Sequence, residues 1–92
     1  MAKLWTDAEY AITNHLYEEA LTRRAQGLPV SRADLVGACK RKTGRSEDAS
    51  CLMHFGNMSA ARAALGLQTL PELPPLANYP KKLMRFLESL HP

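Results

Sequence analysis

Lys40, Arg41, Lys42 and Arg45 place four cations in one short stretch with no acid among them. Cations at that density can hold phosphate oxygens, by charge and through the forked donors of arginine. Glu47, Ser50, His54 and Asn57 follow at i, i+3, i+7 and i+10, a spacing that puts them on one outer face of a helix. Ser, His and Asn can read base edges, and Glu can accept from a cytosine amino group. Ser46, just before them, can cap that helix and, with its free N–H groups, grip a phosphate. Lys81, Lys82 and Arg85 form a second basic group. The candidate DNA-binding set is therefore Lys40, Arg41, Lys42, Arg45, Ser46, Ser50, His54, Asn57, Lys81, Lys82 and Arg85. A plainer reading stands beside it. Lys40 to Lys42 also suit the last turn of any helix, where the dipole favours positive charge, and Glu47 and Asp48 suit a first turn while repelling phosphate.

Catalysis is not expected from this chain. It has no Ser/His/Asp order, no glycine-rich phosphate loop and no HExxH. Cys39 and Cys51 fall on apolar faces, which favours buried free thiols in a reducing cytosol over a nucleophile. With His54 they lack zinc-ligand spacing, so no metal and no cofactor is expected.

The elements that must position these residues follow from periodicity and caps. Ninety-two residues, of which 46% are apolar, make one domain with one core. The formal charge of +3 is a mild lean toward anionic partners. No apolar run approaches the ~18 residues of a membrane span, and no secretory signal opens the chain. Thr6 and Glu9 form a capping box, with Trp5 and Tyr10 placed as its hydrophobic staple. They start a first helix, about 7–26, with Glu19 and Arg23 paired on its wet side. Ser31 and Asp34 start a second, about 32–42, with Leu35, Val36 and Cys39 inward. Gly44 fits a left-handed cap, and a third helix follows over about 47–57. Cys51, Leu52, Phe55 and Met58 form its core face. Ser59 caps a fourth, about 60–65. Pro71, Pro74, Pro75 and Pro80 exclude helix from the next segment, and Leu67, Leu70, Leu73 and Leu76 make it a strap on the core. The last helix, about 80–90, turns Leu83, Phe86, Leu87 and Leu90 inward. Trp5, Tyr10, Tyr17, Phe55, Tyr79 and Phe86 are the expected core anchors. The fold is read as all-α: a compact bundle of about five helices with a helix-turn-helix-like unit around Gly44.

Several short motifs carry a resemblance. Trp5-Thr6-Asp7, Tyr17, Gly44-Arg45-Ser46, Asn57-Met58-Ser59, Leu65-Gly66-Leu67 and Asn78-Tyr79 occur in this order. The arrangement resembles the helical domain that precedes the nuclease in bacterial HNH endonucleases, including McrA-like 5-methylcytosine-specific restriction enzymes. Met58 stands where that family's signature has isoleucine. The nuclease unit is missing, since His15, His54 and His91 are far apart and Cys39 and Cys51 are not a CxxC pair. The resemblance implies a targeting domain for double-stranded DNA, modified bases included. It would be a piece of a larger enzyme or a stand-alone reader working with an HNH nuclease partner. The expected setting is the cytoplasm, with no membrane contact. A helical protein-interaction module or small regulator that docks partners through its Leu/Pro strap is the competing reading.

Overall fold

The computed structural model describes residues 4–91, so Met1 to Lys3 of the lead-in lie outside the described residues. Helix α1 (Asp7–Ala25) begins as its caps dictate. The Thr6 hydroxyl accepts from the Glu9 N–H, and the Glu9 carboxylate accepts from the Thr6 N–H. Gly27, at φ 75°, turns the chain out of it. Helix α2 (Arg32–Thr43) opens on Ser31, whose hydroxyl accepts from the Asp34 N–H. It closes on Gly44 at φ 78°, whose N–H reaches the Lys40 carbonyl. The left-handed conformation there is the one glycine tolerates at a helix end.

Helix α3 (Asp48–Ala64) is one continuous element, where two helices were expected. Asn57-Met58-Ser59 contains no residue that forbids helix, and Ser59 does not cap. Its buried hydroxyl donates instead to the Leu73 carbonyl at 2.6 Å. The third helix also starts later than expected. Glu47 holds the N-cap position without a side-chain cap bond, and Ser46 remains in the turn. Helix α4 (Lys81–Leu90) follows Pro80. The count is therefore four helices, with no strand among the described residues.

The helices form a ring: α1 touches α2 and α4, and α3 touches the same two. Across the diagonal, α1 and α3 meet through long side chains. The Pro/Leu segment before α4 lies on the core through Leu70 and Leu73, which are buried, whereas Leu67 is half-buried and Leu76 exposed. A relay of hydroxyls fastens it. The Leu70 N–H donates to the Tyr17 hydroxyl at 2.8 Å, that hydroxyl meets Ser59 Oγ at 2.8 Å, and Ser59 donates to Leu73. Further on, the Leu76 N–H donates to the Gly56 carbonyl at 3.1 Å. Gly56 allows this approach, since a Cβ there would lie 2.7 Å from the Leu76 side chain.

Arg62 closes the same end. It is buried, donating to Asn14 Oδ1 at 3.0 Å and to the Gln68 carbonyl at 2.9 Å. Tyr79 is exposed rather than a core anchor. Arg23 does not pair with Glu19 as expected: its guanidinium donates to the Pro29 carbonyl, and Glu19 meets His15. No helix is long and apolar enough to cross a membrane among the described residues.

Candidate nucleic-acid interface

The turn between α2 and α3 is tied to the start of α1. Arg45 forks onto Glu9, with Nε and Nη2 each 3.0 Å from a carboxylate oxygen. Nη2 also donates to the Leu4 carbonyl at 3.0 Å. The guanidinium lies 3.8 Å over the Trp5 ring. On that indole His54 stacks in turn, centroids 3.9 Å apart and planes 9° apart. Two groups so close to one ring centre cannot share a face, so Trp5 is held between them. The His54 ring also stacks on Tyr10 at 5.5 Å, and its Nε2 meets the Thr13 hydroxyl at 2.7 Å. With the threonine proton on the Glu9 carbonyl at 3.0 Å, the imidazole donates through Nε2.

These contacts set the charges. The Arg45 hydrogen bonds hold the Glu9 carboxyl at about 2, far below its usual value, against the opposing effect of burial. Burial lowers the His54 imidazole to about 4, and the Arg45 charge adds to the shift. His54 is thus neutral in the folded protein at any ordinary pH. Burial first, then the neighbouring Cys51 thiol, raise Cys39 to about 12. Both cysteines are fully buried and free, and Cys39 is an inert thiol.

The outer row expected on the third helix is therefore not one wet face. Glu47 is exposed and Ser50 and Asn57 are half-buried, but His54 is only 4% exposed. The helix is turned so that Leu52 and Met53 meet solvent instead, Met53 at 61%. Leu52 was expected in the core. An imidazole that finds two aromatic faces and a hydroxyl for its Nε2 can fill an interior position that a leucine would otherwise take.

Arg45, expected in a solvated turn or on DNA, has a side chain only 10% exposed and is committed within its own fold. Ser46 is exposed but caps nothing. The first turn of α3, expected to grip a phosphate, carries Glu47 and Asp48, with Asp48 2.7 Å from Lys40 Nζ. That carboxylate raises the Lys40 ammonium above its ordinary value.

The fold does bring the two basic segments to one place. Arg45 grips the carbonyl of Leu4, while Lys82 of α4 approaches the carbonyl of Trp5 at 3.5 Å and the Tyr10 ring at 5.9 Å. The turn after α2 and the start of α4 thus both reach the lead into α1. Arg41, Lys42, Lys81 and Arg85 are exposed and join no ion pair among the described residues. Asp7 lies 3.9 Å from Lys82, so it meets a cation, as Glu9 does. The cleft between α1 and α2 is lined by Leu16, Ala20, Val30 and Leu35 together with Glu19, Arg23 and Asp34.

Sequence periodicity found the cations but missed the stack beneath them. The Trp5 and Tyr10 staple pattern was its one visible signal, and nothing nearby pointed to His54 as the third ring. An all-helical domain with a Gly-containing elbow between two of its helices is the class this arrangement defines. Comparison with protein-family models, with curated proteins and with solved structures found no match.

Proposed function

We propose that this chain is a DNA-binding domain that grips the backbone of a duplex between the end of α2 and the start of α4. The observation that carries the reading is the convergence of those two basic segments on the Leu4–Trp5 backbone. Arg41, Lys42, Lys81 and Arg85 supply the charge. Arg45 positions the elbow and is not itself the contact. Ser50 and Asn57 are the base-reading candidates that still reach solvent. The resemblance to targeting domains of HNH endonucleases, some specific for modified bases, points the same way. In that reading a nuclease unit in the same or a partner chain does the cutting, in the cytoplasm.

Titration of a labelled duplex at increasing salt tests this. Binding should weaken steeply as salt rises, because each neutralised phosphate releases a counterion. Lys42→Ala with Arg85→Ala, one change in each segment, should weaken it further. Arg32→Ala, at the far end of α2, is compared with each single change to control for the loss of one charge. Binding indifferent to the double change but sensitive to Arg32→Ala would sink the proposed face.

A second reading rests on Leu52 and Met53, adjacent and exposed on α3. Large apolar side chains in solvent suit a protein contact. The strap offers less to such a partner than its sequence promised, since Leu70 and Leu73 face inward. A partner protein recovered after nuclease treatment, and lost with Met53→Asp, would favour this reading over DNA.

A further inference from the structure

We propose that the groove between α2 and the first turns of α3 binds a small phosphate monoester with an apolar body. The groove holds about 390 Å³, within the range of small-molecule sites, roughly 300–1,000 Å³. Ala33, Val36, Gly37 and Leu52 give it an apolar lining. Gly37 is the observation that points to an occupant. It lies in the middle of α2, where glycine weakens a helix relative to alanine. The other four glycines serve this fold, three in left-handed turns and one under Leu76. A Cβ at Gly37 would meet only Arg41 Nη1, at 3.2 Å, the far end of a flexible side chain that can step aside. No packing within the protein therefore requires glycine there. A ligand lying close on the helix backbone would.

The charges select the ligand. Arg32 lines the groove, and Arg41 reaches back over Gly37. Neither joins an ion pair among the described residues. Lys40, also in the lining, is matched by Asp48 at 2.7 Å. The two arginines are thus the unmatched charges at the groove. A carboxylate would answer one of them. A phosphate monoester carries about −1.5 to −2 at pH 7, with three acceptor oxygens suited to arginine forks. The apolar lining then takes the group esterified to the phosphate. This inference stands apart from the DNA-binding reading, since a duplex phosphate is a diester with a single charge.

Phenyl phosphate is the probe, titrated calorimetrically into the full chain at low salt. It should bind. Inorganic phosphate, which lacks the ring, and benzoate, which lacks the second charge, should each bind about tenfold more weakly or worse. Arg32→Ala and Arg41→Ala should each weaken phenyl phosphate by about tenfold or more. Gly37→Ala should raise the urea midpoint of unfolding, because alanine favours helix, and yet lose about tenfold or more in affinity. Absence of phenyl phosphate binding overturns the site. Inorganic phosphate bound as tightly reduces the groove to a surface patch for anions and overturns it too. Benzoate bound as tightly overturns the choice of phosphate. A Gly37→Ala chain that binds like the wild type shows that nothing lies on the helix backbone, which also overturns the site.

Discussion

His54 shows how a polar side chain becomes interior. Its ring is stacked on Trp5 and Tyr10 and its nitrogen is bonded to Thr13. The folded protein keeps it neutral down to about pH 4, whereas the unfolded chain protonates it near 6.5. Between those values the unfolded state binds more protons, so stability falls as pH drops from 6.5 to 4. The loss across that window should be about 3 kcal/mol, since each pH unit between the two values is worth about 1.36 kcal/mol. His54→Gln should flatten the window, as urea unfolding at a series of pH values would show. A wild-type curve already flat there would mean that the imidazole titrates normally. Glu9 acts in a lower window. Its depressed value makes its stabilisation complete above about 4.5 and lost as pH falls toward 2.

Arg45 is the partner that keeps Glu9 ionised, and the pair is nearly buried. Arg45→Ala leaves a carboxylate with too few donors and should cost about 3 kcal/mol. Arg45→Lys should recover only part, since lysine lacks the fork that reaches Glu9 and Leu4 together. Equal midpoints for wild type and Arg45→Ala would show that the elbow is held by other contacts. The same variant is a poor probe of DNA contact, because it loosens the elbow that presents Lys42.

Elements here are set by local caps and joined by distant contacts. The capping box of α1, the Ser31 cap of α2 and the left-handed Gly44 each close within four residues. The continuity of α3 is a different case. Ser59 has a capping side chain, but its hydroxyl is drawn instead into bonds with the Tyr17 hydroxyl and the Leu73 carbonyl of the strap. Gly56 sits on the same face, one helical turn before, where Leu76 presses on the backbone. Gly56→Ala would gain about 1 kcal/mol of helix propensity. Overpacking against Leu76 should cost about 1–3 kcal/mol, for a net loss. Hydrogen exchange at the Leu76 amide should speed up in that variant. A more stable variant with unchanged exchange would show that the strap yields freely at this point.

For the whole molecule, the ring of four helices brings residues 4, 45 and 82 together. Neither basic segment is dense enough alone to define a face. Together their four exposed cations outside ion pairs, Arg41, Lys42, Lys81 and Arg85, predict a slope of log affinity against log salt of about −3.6. Each alanine substitution among them should reduce the slope by about 1. A slope near zero at measurable affinity would point to an uncharged contact, such as the Leu52–Met53 surface.

By itself the sequence determined where α1 and α2 start and, to within a residue, where α3 and α4 start, that the Pro/Leu segment lies on the core, and where the cations fall. Caps, proline and charge act over a turn or two, so a few neighbouring residues suffice to read them. Only the tertiary structure decided which way α3 faces, that α3 runs on through Ser59, and that Arg45 is held by Glu9 rather than left in solvent. Those outcomes depend on partners such as Trp5, Tyr10 and Thr13 for His54, Glu9 for Arg45 and Leu73 for Ser59. Such partners are distant along the chain and are chosen by whole side chains competing for one interior, a contest that no local pattern records.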